Sequence, residues 1–353
     1  MNTTIRNHPL RRDFLGLQFL SITAALLGAG LTQAAESPLK VFILAGQSNM
    51  VGHGKAEEGR NPKYLPNEPK GKENPKHVVG GLGSLRGMVN ENTSKFGPGG
   101  TTPLMDGDGK WLVRKDVKIY AYCNEKTHKG GLGLGYAEPN ALTWFGPEFG
   151  FGHILGNALD EDVLLIKIAT GGTSLAQKWR SPAAVANRGG EVGPQYTHMV
   201  KTAKEVLADV GKEFPEFAGR KVEVTGFGWH QGWQDGSDAK MAAEYEANMA
   251  DFIDDVRKEF GSGMFFVIAN SGFNSDQQKG SRAQVREAQD IMADAGKYPM
   301  FKDNVAVVDT RPMWRDESIS PSDFGFHWNH NGPTHYEMGA AMGEAMLKLM
   351  TRK

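Results

Sequence analysis

Phe42-Ile43-Leu44-Ala45-Gly46-Gln47-Ser48-Asn49 joins a wholly apolar run to a glycine and then to three polar side chains. A short apolar run that stops at a turn residue reads as a strand buried on both faces, the condition of a parallel sheet covered by helices. Gly46 lets the chain turn sharply after that strand. Gln47, Ser48 and Asn49 then stand at its carboxyl end, where open parallel sheets bind their ligands.

Working outward, apolar β-branched runs alternate with helical patterns. The strands are read at Lys40 to Ala45, Val117 to Tyr122, Val163 to Ala169, Lys221 to Trp229, Met264 to Asn270 and Asn304 to Asp309. The helices are read at Pro147 to Leu159, Tyr196 to Val210, Met241 to Phe260, Arg282 to Ala295 and Thr334 to Met350. This alternation predicts an α/β fold, a doubly wound parallel sheet in a three-layer sandwich, as a single domain over residues 36–353. Lys55 to about Trp111 is rich in Gly, Pro, Lys and Asn and reads as a long insertion after the first strand. Asn124 to Trp144 reads as a second loop; its Gly130-Gly131-Leu132-Gly133-Leu134-Gly135 run lies far from the first strand and opens no helix, so it is not a nucleotide fingerprint.

The N-terminus is set apart from the fold. Arg11-Arg12-Asp13-Phe14-Leu15 leads into an apolar stretch from Leu17 to Leu31 and then to Ala34-Ala35, the order of a secretory signal over residues 1–35. The arginine pair followed by Phe-Leu resembles a twin-arginine leader, with an ordinary Sec signal as the alternative. The stretch is shorter than the roughly 20 residues that span a bilayer and is broken by Gln18, Ser21 and Thr23. Export to the periplasm or beyond is therefore expected, with no stable membrane association. The chain carries 40 basic against 41 acidic side chains, so net charge gives no ground for a nucleic-acid partner. Cys123 is the only cysteine, which excludes an intramolecular disulfide, and its place at the end of a β-run favours packing over chemistry.

Four junctions carry unusual polar chemistry. They are Gly46 to Asn49, Thr170-Gly171-Gly172-Thr173-Ser174, His230-Gln231-Gly232, and Asp323-Phe324-Gly325-Phe326-His327-Trp328-Asn329-His330. A serine at a strand-to-helix turn is usually only a cap. Here a histidine follows late in the chain with an acid close before it, and nucleophile, base and orienting acid are what serine acyl transfer needs.

FILAGQSNM from Phe42, GPEFGFG from Gly146, ATGGTSL from Ala169, WHQG from Trp229 and FHWNHNGPTHYEMG from Phe326 together resemble the sialate O-acetylesterase-related carbohydrate esterases, within the SGNH hydrolase superfamily. The five blocks occur in that family's order. The resemblance implies Ser48 as nucleophile, an oxyanion hole of the Ser48 and Gly172 amides with the Gln231 side chain, and no cofactor. It departs in two places: Trp233 stands where many relatives carry Glu, leaving Asp235 as the nearest carboxylate, and Asp323 is four residues rather than three before His327. His327 is the favoured base, Asp323 its orienting acid, and His330 the alternative base.

Other readings stay beside these. Glu148 reads as a first-turn helix carboxylate. Asn49, Trp179 and Trp233 are candidate substrate contacts, although aromatics more often pack. The substrate implied is an acetylated carbohydrate, its sugar left open. The rivals are a metal-dependent hydrolase built on His327, His330 and His335, perhaps with Asp323, and a catalytically silent carbohydrate-binding protein.

Overall fold

The computed structural model describes residues 37–57, 83–137 and 143–352. The expected export signal lies outside them. Among the described residues, no helix is long and apolar enough to cross a membrane.

One sheet organises the chain. Its strands are β1 (Leu39–Gly46), β2 (Val117–Cys123), β3 (Lys126–Gly131), β4 (Val163–Ala169), β5 (Val222–His230), β6 (Phe265–Ala269) and β7 (Val305–Val308), in the order β3-β2-β4-β1-β5-β6-β7. All neighbours are parallel except the β2–β3 pair. The six strands read from the sequence are all present. β3 is an addition, because the composition of residues 124–144 predicts a loop. Asn124 and Glu125 both take positive φ, 47° and 68°, which closes a two-residue hairpin. β3 is a mostly exposed edge strand with little apolar alternation, so no period announced it.

β1 lies at the centre and divides the core by its alternation. Val41, Ile43 and Ala45 face one apolar layer with α3 (Pro194–Ala208), α4 (Ala239–Phe260) and α5 (Gly280–Asp290). Phe42 and Leu44 face the other, with α2 (Pro147–Ala158) and α6 (Gly332–Met350). A fully buried side chain of this size contributes about 1.5–3 kcal/mol, and the two layers are what hold β1 rigid. α2 and α6 meet at glycines: a Cβ on Gly339 would lie 2.0 Å from the Pro147 carbonyl oxygen. The described part of the insertion also builds structure. A helix at Leu85–Glu91 packs Leu85, Met88 and Val89 against Phe145, Phe149 and Tyr336.

Behind the first turn lies a buried ion pair. Lys167 interrupts the apolar run of β4, and both it and Glu148 are fully buried. Its ammonium donates to Glu148 Oε2 at 2.6 Å, to the Val51 carbonyl at 2.8 Å and to the Tyr136 carbonyl at 2.9 Å. Glu148 is the first-turn carboxylate that the sequence implied, and its Oε1 also accepts from the Gly146 amide. With three acceptors on the ammonium, the pair is satisfied despite its burial. Lys167→Met would leave Glu148 as an uncompensated buried charge and should cost about 3–5 kcal/mol in urea unfolding. Lys167→Met/Glu148→Gln should lose clearly less; a double variant no more stable than the single would contradict this account of the pair.

Candidate active site

β1 runs into α1 (Ser48–Val51), with Gln47 as its N-cap and Ser48 its first residue. The turn is possible because Gly46 has no side chain: a Cβ there would sit 2.1 Å from the His230 carbonyl oxygen. The Gln47 amide donates to that same oxygen at 3.2 Å. Gln47 Oε1 accepts from the Gly232 amide at 3.1 Å, the Gln234 amide at 3.2 Å and Gln231 Nε2 at 3.1 Å. The turns after β1 and β5 are thereby one hydrogen-bonded piece.

The glycine loop after β4 is tied to the same piece. Asp235 is fully buried and accepts from the Leu175 amide at 2.8 Å, the Ala176 amide at 2.9 Å and Gln231 Nε2 at 2.5 Å. Burial pushes its carboxyl up to about 6, against the pull of these donors. Asn124 Oδ1 accepts from the Gly171 amide at 2.9 Å. A Cβ built on Gly171 would lie 3.8 Å from Ser48 Cβ, so this loop borders the serine directly. Gly172 takes φ +67°, a conformation that favours glycine.

The histidine loop reaches the serine from α6. Asn49 Nδ2 donates to the Phe326 carbonyl at 2.9 Å, which ties the residue after Ser48 to the residue before His327. Trp328, Asn329 and His330 have φ of 53°, 54° and 58°, three consecutive left-handed residues none of which is glycine. Such residues persist only where their surroundings over-determine them. Here Trp328 is buried against Phe273 and Trp314. Asn329 Nδ2 donates to the Arg315 carbonyl at 2.9 Å, and the Asn329 carbonyl accepts from the Ser322 amide at 3.1 Å.

Among the described residues, five histidines gather around this loop: His53, His230, His327, His330 and His335. Burial is the largest cause acting on every one. It lowers His230 and His327 to about 4 and His335 to about 3, and holds His53 and His330 well below the ordinary value. At neutral pH the imidazoles are uncharged, the state in which a histidine accepts a proton or binds a metal. His327 is the more accessible of the two candidate bases; His330 is buried, its ring 5.0 Å from that of Trp144.

Several expected roles do not match the geometry. Gln231 is buried, and its two amide hydrogens face three acceptors, Gln47 Oε1, the Thr173 carbonyl and Asp235 Oδ2, which leaves none for an oxyanion. Trp179 is fully buried, donates from Nε1 to Thr173 Oγ1 at 2.8 Å and packs edge-on against Trp229, so it is core and not a sugar platform. Asn49 is buried and fastens the histidine loop. Asp323 is exposed, and His327 Nδ1 has no hydrogen-bond partner among the described residues, so this carboxylate does not orient the ring. Trp233 alone of the three substrate candidates keeps an open part, beside the exposed Phe326 at 5.7 Å between ring centres. Cys123 is buried, and its thiol is pushed up to about 11, a packing residue as expected.

The residue that the sequence reading missed is His53, which lies between two glycines just past α1. Its ring stacks on His327 with centres 3.7 Å apart and planes 7° apart. With His327 and His330 it forms the one metal-capable trio among the described residues, the nitrogens within 4.8 Å of one another. That trio replaces the expected cluster, since His335 turns its Nε2 toward the His327 carbonyl at 3.5 Å. Imidazole lone pairs lie in the ring plane, so in a parallel stack those of His53 and His327 run side by side and do not converge on a common point.

The model of the carbohydrate esterase family described as sialic acid-specific acetylesterase matches residues 125–348, more than half of the chain. The chain belongs to this family. This esterase also shares its fold with a solved protein from Arabidopsis thaliana, at 16% identity and a TM-score of 0.52, covering 88% of this chain and 98% of that one. A carbohydrate acetylesterase from Xanthomonas citri aligns at 14% identity and a TM-score of 0.45, covering 84% of the esterase and 54% of its own chain. No curated protein matches the sequence. The matched span holds the glycine loop, the WHQG turn and the histidine loop, while the Ser48 turn precedes it.

Two outcomes follow for the esterase. Gln231→Ala should lower the unfolding free energy by about 1–3 kcal/mol, because Gln47 Oε1 and Asp235 lose a buried donor; unchanged stability with a fall in kcat alone would restore Gln231 as an oxyanion donor. Burial of neutral histidines also fixes a pH dependence. Their folded values lie below the unfolded 6.5, so the stability they allow is complete above pH 6.5 and is lost as the pH falls toward 4. Each histidine that must charge on unfolding contributes about 1.4 kcal/mol per pH unit, and Asp235, shifted upward, offsets about one of them. Urea midpoints should drop steeply from pH 7 to pH 5; a flat profile would mean that these rings are solvated.

Proposed function

We propose that the esterase removes acetyl groups from acetylated glycans by two-step acyl transfer, with Ser48 as nucleophile and His327 as base. The observation that carries this reading is the Asn49–Phe326 hydrogen bond, which holds the serine turn against the histidine loop while Gly171 borders Ser48 from the other side. His327 takes the Ser48 hydroxyl proton, and Oγ attacks the acetyl carbonyl. The oxyanion is met by the amides of Ser48 and Gly172, a two-donor hole in place of three. Ser48 opens a helix, where amides lack intrahelical partners, and Gly172 leaves room for approach. The His327 proton passes to the departing sugar hydroxyl, and water then releases acetate by the reverse sequence. Trp233 and Phe326 offer an aromatic wall beside His327 for the sugar ring. The esterase works outside the cytoplasm, a reading supported by the leader-like residues 1–35.

Ser48→Ala should reduce acetate release from p-nitrophenyl acetate by about a thousandfold or more at unchanged melting temperature. His327→Ala should fall as far, with His330→Ala losing less. A Ser48→Ala protein at near wild-type rate would sink the serine mechanism. A dead His330→Ala beside an active His327→Ala would move the base three residues inward and leave the rest standing. Dialysis against EDTA should not change the rate.

A further inference from the structure

His327 stands without an orienting carboxylate. Asp323 is exposed, and among the described residues nothing hydrogen-bonds His327 Nδ1. A base needs its ring plane fixed, because a misplacement of about 1 Å can cost roughly a hundredfold in rate. The loop that carries it has three left-handed residues in succession just after it, so backbone preference alone does not hold the ring either.

His53 supplies what is missing. It lies within two residues of α1, the element that opens with Ser48, and is itself 8% exposed. Its imidazole covers one face of His327 at 3.7 Å and 7°, while Phe326 sits at 4.4 Å and 59°. The His53 ring is braced in turn by an edge contact with Trp144 at 6.4 Å and 74°. Gly52 and Gly54 bring it there by close approach, a Cβ on Gly54 falling 2.6 Å from His335 Cβ. One rigid turn thus presents both the serine and the flat surface against which the base rests.

We propose that His53 is the positioning residue of the esterase, fixing the plane of His327 by ring stacking in the place where a serine hydrolase uses a carboxylate. The proposal rests on the Ser48–His327 reading above. It requires the face of His53 and not its nitrogens. The groups around the pair are His330 on the same loop, His335 from α6 and Lys167 from β4, and all of them discourage a charge on His53. His53 therefore stays neutral, and a single proton on His327 meets an uncharged ring.

The test compares His53→Ala with His53→Phe, using p-nitrophenyl acetate and full pH profiles. His53→Phe keeps a flat ring and should hold kcat within about threefold. His53→Ala should lose about 30- to 100-fold in kcat with KM little changed. Uncovering His327 also relieves the burial that lowers its ionisation, so the acid limb of kcat/KM should move up by about one unit or more in His53→Ala and stay in place in His53→Phe. Should His53→Ala fail to fold, His53→Leu fills the volume without a flat face: it should lose kcat as His53→Ala does while its acid limb stays in place, because His327 remains covered. A His53→Ala protein with wild-type kcat and an unmoved acid limb overturns the proposal, as does a folded His53→Phe as slow as His53→Ala. Ser48→Ala and His327→Ala are run in parallel. If Ser48→Ala keeps its rate, the serine mechanism fails and the proposal with it; if His327→Ala keeps its rate, the base lies elsewhere and the proposal falls while the serine mechanism stands; if both are dead while His53→Ala is normal, only the positioning role falls.

Discussion

One side-chain oxygen, Gln47 Oε1, carries the architecture of this site. It accepts three donors from the turn after β5, and one of those donors, Gln231, passes the connection to Asp235 and through it to the glycine loop after β4. Three strand ends that differ widely in sequence position are thus fixed to one another within a few ångströms. A buried polar network of this kind is worth having only when it is fully satisfied, since each unpaired group costs about 1–3 kcal/mol. Ser48 itself makes none of these bonds. It is placed by its neighbours on either side, Gln47 toward the sheet and Asn49 toward the histidine loop.

The second constraint is electrostatic. Bringing five imidazoles into one buried region is tolerable only if they remain uncharged, and burial ensures that they do. Two buried lysines border the region: the Lys167 ammonium is neutralised by Glu148 and also donates to the Val51 and Tyr136 carbonyls, and the Lys55 ammonium lies over the Trp144 ring at 4.9 Å. Neutral imidazoles over a satisfied ion pair keep the free lone pair that the proposed base requires at physiological pH. The same arrangement makes the fold sensitive to acid.

The sheet was readable because its strands are buried on both faces and therefore apolar throughout, and the helices because each buries one stripe. β3 was not, since an exposed edge strand needs no apolar alternation; the Asn124-Glu125 turn was its one signal. At the site, the order of the four junctions pointed correctly to where residues converge. Their individual roles were harder. Trp179 follows the glycine loop in sequence, but its bond to Thr173 Oγ1 folds the indole inward. Gln231 has the chemistry of an oxyanion donor, yet what surrounds its amide is three acceptors that no local pattern reveals. Lys167 in Val-Leu-Leu-Ile-Lys-Ile-Ala was a visible anomaly, since a lysine in a doubly covered strand demands a buried partner. His53 carried only its glycine neighbours as a hint, because a stacking partner 274 positions away leaves no trace in local spacing.

The central claim is that the reacting group is the hydroxyl that this network holds at the end of β1. Mass-spectrometric mapping after inactivation by a fluorophosphonate tests it most directly, because such reagents modify an activated serine and leave ordinary ones untouched. The account predicts loss of esterase activity in step with a single adduct on the peptide containing Ser48, and no adduct there in His327→Ala. Full inactivation with the adduct on another residue, or full activity with Ser48 modified, would contradict it.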